Sequence, residues 1–334
     1  MHIPNYWAEG RAQRRDTRSS TGHGSRRQLT VRRWGWSDQS QEAAQAHADQ
    51  RAADALETLW KQSDPDGRRE PRVAYNGAEG VPIREQVLDR VGEQVITRNG
   101  YGAECLNSPS LFIADIDAPD GSLSFVAYAL GALLAVGAWA WLQQLGFGGL
   151  GVLLGIALLL LWLALAGDLW HRMRGGAAGA RERCMQRIRR FSKERPSWRL
   201  RLYETPAGLR VLATHAPLDP ISKDVATAFE HLGTDPIYAR MCLRQACFRA
   251  RLTGKPWRMG MSNSAPARGV AWPLNDRQAA LRGAWLTQYE ALSAGFAACR
   301  FLEELGEGNS DPSLQDAVAL HDTRSRALSP LPLA

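Results

Sequence analysis

Hydrophobic and polar positions along the chain follow three regimes. Two stretches, 31–120 and 171–326, mix short alternating runs with helical periodicity, and between them lies a block that is apolar almost throughout. In the first stretch, Leu29–Trp34 alternates as a strand does, and Ser37 can cap a helix to about Lys61. Ala44, Ala48, Ala52, Leu56, Leu59 and Trp60 would share one face of that helix. Pro82–Val91 reads as a second helix, with proline in its first turn and Gly92 after its end. Gln94–Arg98, Gly102–Leu106 and Leu111–Ile116 read as strands separated by Asn- and Gly-containing loops. After the apolar block an arginine-rich helix runs to about Phe191. Arg199–Glu204 and Leu209–Thr214 then form a hairpin across Thr205-Pro206-Ala207-Gly208. Helices follow at Lys223–Leu232, Pro236–Cys247 and Ala284–Leu305, with a last one from Pro312.

The apolar block dominates the expected architecture. From Gly121 to Gly167 no charged residue or histidine occurs, and Asp120 and Asp168 bracket the run. A single helix of that length would extend roughly 70 Å, more than twice a bilayer core of about 30 Å. Two crossings fit better, at 123–142 and 149–167, with Gln143, Gln144 and a glycine cluster between them. Small residues at one-turn spacing (Ala127, Gly131 and Ala135; Gly151 and Gly155) suit close helix packing or homo-oligomer formation. Arg172, Arg174, Arg181, Arg183, Arg187, Arg189 and Arg190 follow at once, which places both termini on the cytoplasmic side of a bacterial inner membrane. The same arginines suit anionic lipid headgroups. The expected fold class is therefore an α/β (α+β) cytosolic domain interrupted by a two-helix transmembrane hairpin over 121–170. Strands from 94–116 and 199–214 would join one sheet, residues 1–30 would be a disordered basic arm, and 327–334 a tail.

Composition adjusts this picture little. The net charge of +7 rests almost wholly on arginine, with Lys61, Lys193, Lys223 and Lys255 the four lysines. A basic balance admits nucleic acid as well as lipid. Cys105, Cys184, Cys242, Cys247 and Cys299 lack the paired spacing of a disulfide ladder or zinc finger, and read as buried thiols. Residues 1–30 carry no apolar run of the kind a secretory signal has.

Candidate chemistry begins with Leu111-Phe112-Ile113-Ala114-Asp115-Ile116-Asp117, an apolar strand ending in two aspartates. Strand periodicity puts both carboxylates on one face, where they can share Mg²⁺ or Mn²⁺ and, through it, nucleotide phosphates. The commoner role of such acids is simply to end a strand at the surface. Arg210, two residues after Gly208 in the hairpin, is a candidate phosphate ligand, and Gly208 would let backbone approach a ligand. Arg249 and Lys255 lie in the segment Cys247–Arg258, where several cations surround aromatic residues, a composition suited to a polyanion or to a solvated loop. His321-Asp322 reads as a surface pair on a helix. No phosphate-binding Gly-rich loop and no Gly-x-Ser-x-Gly elbow occurs.

The order of these elements resembles the archaeo-eukaryotic primase/primase-polymerase superfamily, in which an Asp-x-Asp at a strand end precedes a hairpin carrying a glycine and a phosphate-binding histidine. The resemblance implies metal ligation by Asp115 and Asp117, and matches Arg249 and Lys255 to a later Arg/Lys stretch. Arg210 stands where that family has its histidine, and the third carboxylate has no clear counterpart, Asp219 being a guess. The chain also looks like bacterial two-helix transmembrane proteins with polar flanks. Three functional expectations follow: a tethered binding or interaction module, a metal-dependent nucleotide-binding or nucleotidyl-transfer domain, and a membrane-associated nucleic-acid binder.

Overall fold

The computed structural model describes residues 1–15, 28–62, 66–70, 81–118, 125–146, 176–261 and 272–334, with isolated positions between 153 and 162. The first unit is a ribbon of two antiparallel strands, β1 (Tyr6–Arg15) and β2 (Gln28–Ser37), backed by helix α1 (Gln41–Gln62). Alternation explains the packing: Ala8, Leu29 and Val31 are buried beneath the helix, whose Ala44, Ala48, Ala52 and Leu59 are buried in return. Ser40 rather than Ser37 caps α1, its hydroxyl accepting from the Ala43 amide at 3.1 Å. Gly10 and Gly35 face the helix so closely that an added Cβ would lie 2.2 and 2.1 Å from Ala48 backbone atoms. The expected disordered arm is thus, from Tyr6 to Arg15, a strand held by its partner. Its arginine content disguised a ribbon whose apolar positions are few and small.

Two four-stranded antiparallel sheets form the main body. One has the order β10 (Arg300–Leu305), β7 (Leu200–Thr205), β8 (Gly208–Ala213), β6 (Phe112–Asp117). The other has the order β3 (Gln86–Val91), β4 (Gln94–Arg98), β5 (Glu104–Ser108), β9 (Phe248–Arg251). Strand β6, ahead of the apolar block, pairs with β8 beyond it, so one sheet draws on both stretches of the chain. The core between the sheets centres on Phe112, whose ring lies 5.2 to 5.6 Å from those of Trp198, Phe229 and Phe248. Helices α3 (Gly176–Glu194), α4 (Lys223–Leu232), α5 (Pro236–Gln245) and α7 (Gln315–Ser325) pack on this core, while α6 (Asp276–Ser293) belongs to a separate small cluster around Tyr289.

Two segments expected as helices are strands. Pro82–Val91 supplies β3, because Gly92, with φ of 57°, turns the chain into a hairpin with β4. The Ala284–Leu305 helix stops at Ser293, and Arg300–Leu305 pairs with β7 as the edge strand β10. Sheet hydrogen bonding overrode a spacing that local periodicity alone reads as helical.

The transmembrane hairpin is also corrected. Among the described residues no helix is long and apolar enough to cross a membrane. The first expected span falls on α2 (Phe125–Gln144). There Leu133, Leu134, Val136 and Trp141 are exposed. The second expected span, 149–167, lies mostly outside the described residues. The inner-membrane location, the cytoplasmic placement of both termini and the likeness to two-helix transmembrane proteins fall with the hairpin. Of the arginines taken for a topology signal, Arg172 and Arg174 lie outside the described residues, and the other five sit on α3, whose Ala180, Cys184, Ile188 and Phe191 are buried against the body. Arg181 and Arg189 reach Glu204 and Glu303 of the adjoining sheet at 2.6 and 2.9 Å.

Gly35→Ala is expected to push the β1–β2 ribbon off α1, with a loss of about 1–3 kcal/mol from overpacking. Amide hydrogen exchange should show faster exchange in β1, β2 and α1 than in β6–β8. Unchanged exchange in the ribbon would refute the contact.

Candidate functional site

The Asp-x-Asp strand leads to the junction of the two sheets. Asp115 on β6 stands directly opposite Arg210 on β8, which stands opposite Tyr203 on β7. Residues paired in this way share a face, so the three side chains form one row across the sheet. Arg210 is 2% exposed and holds Asp115 with both ends of its fork, Nε to Oδ1 at 2.7 Å and Nη2 to Oδ2 at 3.2 Å. Its Nη1 donates to the Arg251 carbonyl at 3.0 Å and lies 3.3 Å from His321 Nε2. Burial works against the guanidinium charge, yet Asp115 and Cys299 hold its pKa above the ordinary value. The arginine expected to hold phosphate is an internal tie between β8, β6, the end of β9 and α7.

The network continues inward. His321, wholly buried on α7, places Nδ1 2.9 Å from Asp322 Oδ1, and that oxygen also accepts from Tyr203 Oη at 2.7 Å. Arg201 donates to Asp322 Oδ2 at 2.8 Å, and Cys299 Sγ lies 3.8 Å from His321 Nε2. Burial opposes charge on His321, but Cys299 and Asp322 outweigh it and raise its pKa. Burial likewise opposes charge on Asp322, and there His321, Tyr203 and Arg201 prevail and lower it. Cysteine, histidine and aspartate thus meet in a constellation familiar from nucleophilic catalysis. Cys299 and His321 each have no exposed surface, so a substrate cannot reach them. The reading of His321-Asp322 as a surface pair is corrected: adjacent polar residues on a short helix hid a pair turned wholly inward.

Arg249 plays the corresponding part in the second sheet. Its Nη2 meets Glu85 at 2.5 Å, both side chains being buried, and Thr97 donates to the same carboxylate at 2.7 Å. Lys255 is placed differently. It stands half-buried with its ammonium 5.4 Å from the Trp257 ring centre. Burial and the neighbouring Arg251 and Arg258 lower its pKa against the pull of Asp117 and Asp115. Asp117 is the exposed member of its pair, its pKa raised by burial of part of its surface and by Asp235 and Asp115. Gly208, opposite Asp117, leaves no room for a ligand: an added Cβ would lie 2.1 Å from the Ile116 carbonyl oxygen, so its bareness serves strand packing.

The fold brings a third acid to this end of β6, and it is Asp235. Its backbone amide donates to the Asp115 carbonyl at 3.0 Å, and its side chain caps α5 by accepting from the Ile237 amide at 3.0 Å. The Asp235-Pro236 pair signalled the cap but not the neighbour, since the contact spans the whole apolar block. Asp219 is exposed in a turn, where it accepts from the Ile221 amide at 3.1 Å. Among the described residues no group of three or more His, Cys, Asp or Glu is arranged to hold a metal ion. For Mg²⁺ or Mn²⁺ the donor set at β6 is Asp117 with whatever coordination Asp115 retains beside its arginine.

No protein-family model, curated protein or solved structure matches the chain. The resemblance to the primase/primase-polymerase superfamily is therefore corrected: the shared order of short elements is not accompanied by any family match. The geometry differs as well, with Arg210 turned onto the very aspartate it was expected to assist.

Asp115→Asn should cost about 2–3 kcal/mol, less than the roughly 3–5 of a fully buried pair because the Asp115 side chain is 34% exposed. Replacing both partners, as Asp115→Leu/Arg210→Met, should recover much of that loss in urea denaturation. A double variant as unstable as the single one would show that the pair itself adds stability.

The pH dependence has two limbs. A raised His321 contributes stability that is complete below its unfolded value of about 6.5 and is lost as pH rises through its folded value. A lowered Asp322 contributes above its unfolded value of about 3.9 and is lost as pH falls through its folded value. The network should stabilise most between roughly pH 4 and 6.5, and His321→Gln should flatten the decline above that window. Parallel melting curves of native and variant protein above pH 6.5 would contradict this linkage.

Proposed function

We propose that the protein is a binding module, and that its Asp-x-Asp strand is part of the frame that holds the module together. The observation carrying this reading is the bidentate Arg210–Asp115 pair, in which a buried guanidinium engages both oxygens of the first aspartate. A carboxylate committed in this way is a poor partner for a divalent cation, because ligation would require breaking a charge-assisted bond and leaving the arginine unpaired in the interior. The other chemically versatile groups support the same reading. Cys299 and His321 are sealed, and Arg249 is spent on Glu85. Charge available to a partner lies instead on exposed surfaces.

Calorimetry of the full chain with Mn²⁺ and nucleoside triphosphates tests this proposal. The expected result is no metal-dependent heat from the native protein. Saturable heat in the native protein that disappears in Asp115→Asn/Asp117→Asn, with the variant still folded by circular dichroism, would replace it with a metal-dependent nucleotide site.

A further inference from the structure

The β1–β2 ribbon has one face under α1; its other face is covered at Trp7 and Trp34 and exposed further along, where it gathers arginine. Arg11 and Arg32 stand directly opposite each other in the antiparallel register, and Gln13 and Thr30 form the next pair on the same side. Arg68 ends the short turn Asp66–Arg68 after α1, and Arg69 follows it. Together Arg11, Thr30, Arg32, Arg68 and Arg69 line a groove of about 270 Å³. That is below the roughly 300–1,000 Å³ of a small-molecule pocket, and its lining is charged where such pockets are mostly apolar.

The acids nearby do not neutralise this groove. Glu9 pairs with Arg32 at 3.2 Å, both side chains remaining well exposed. Glu70, adjacent to Arg69, is turned inward to Arg51 at 2.7 Å and to the Trp34 amide at 3.0 Å. Arg11, Arg68 and Arg69 are exposed and have no acidic partner among the described residues. Arg210, Arg249, Arg201 and Arg181, by contrast, are each taken up by a carboxylate. Charge also accumulates along the whole segment: residues 1–37 contain eight arginines against two acids, in a chain whose net charge is +7.

We infer that this arginine groove binds the phosphate backbone of duplex nucleic acid. The inference rests on the binding-module reading and names its site and its ligand class. Guanidinium forks match phosphate oxygens in pairs, and their weaker hydration favours such contacts over a lysine patch. A two-stranded antiparallel ribbon has the width to enter a major groove, and a helix behind it holds the ribbon flat. Gln13 and Thr30, beside the arginines, supply short hydrogen-bonding side chains to the same face.

Fluorescence anisotropy of a labelled DNA duplex of about 20 base pairs, titrated with full-length protein at graded salt, tests the site. Affinity should fall steeply with salt, with a log–log slope near −0.9 for each phosphate neutralised. Arg11→Ala/Arg69→Ala, both at exposed positions, should weaken binding at least about 10-fold and lower the slope by about two. Lys255→Ala/Arg258→Ala, which do not line the groove, should leave both unchanged. No binding at low salt, or equal binding to polyglutamate of matched charge, would overturn the inference. So would a loss of binding confined to the Lys255/Arg258 variant, although the protein would then remain a binding module. Metal-dependent nucleotide heat would instead unseat the module reading, and it is measured independently of the duplex.

Discussion

A guanidinium cannot be left unpaired in a protein interior, and the main body is organised around that constraint at Arg210. Sheet geometry places it between Asp115 and Tyr203, and helix α7 brings His321 against its remaining nitrogen. Four segments distant in sequence therefore have to arrive together before the charge is satisfied. A penalty of several kcal/mol for an uncompensated buried ion makes partial arrangements unfavourable. The same logic repeats on a smaller scale at Arg249, which ties β9 to Glu85 ahead of β3. These pairs add less to stability than well-packed apolar residues would, but they penalise wrong register at the place where the sheets meet.

Polar ties of this kind also account for how the chemistry is distributed. Side chains that in other settings act as nucleophile, base and metal ligand are here spent on one another: Cys299 with His321, His321 with Asp322, Asp115 with Arg210. Lys255, Arg258 and Asp117 stay near the surface, crowded by their own kind. The ribbon and α1 form a second, smaller assembly with its own apolar contacts, and the groove at its open face holds Arg11, Arg68 and Arg69, which no described acid answers. Arg210 and Arg249 in the interior are paired with acids and Arg11, Arg68 and Arg69 are not, which is the contrast that favours binding over catalysis.

Most strands were readable from local pattern because their apolar runs are short and bounded by turn residues. Gln94–Arg98 and Lys223–Leu232 have the expected limits, and β6, β7, β8 and α5 lie within two residues of theirs. Misreadings arose where a segment satisfies two periods at once. Residues 82–91 and 300–305 place apolar side chains at spacings that suit either a helix or an edge strand, and only the pairing partner decides. The basic arm misled for another reason: Ala8, Gly10 and Ala12 are too small to register as a hydrophobic face, although they fit closely beneath α1.

What the sequence determined alone was local: where helices are capped, where turns fall, and that Asp115 and Asp117 share one face of a strand. These follow from interactions among neighbours a few residues apart, which are written in the order of the residues themselves. What the tertiary structure decided was which charges meet. Asp115 finds Arg210, Asp235 comes beside Asp115, His321 turns inward, and Arg11 joins Arg32 and Arg69 at one groove. Each of these contacts joins residues tens to hundreds of positions apart. The effect of a charge depends on the partners and burial it acquires, and no local pattern records them.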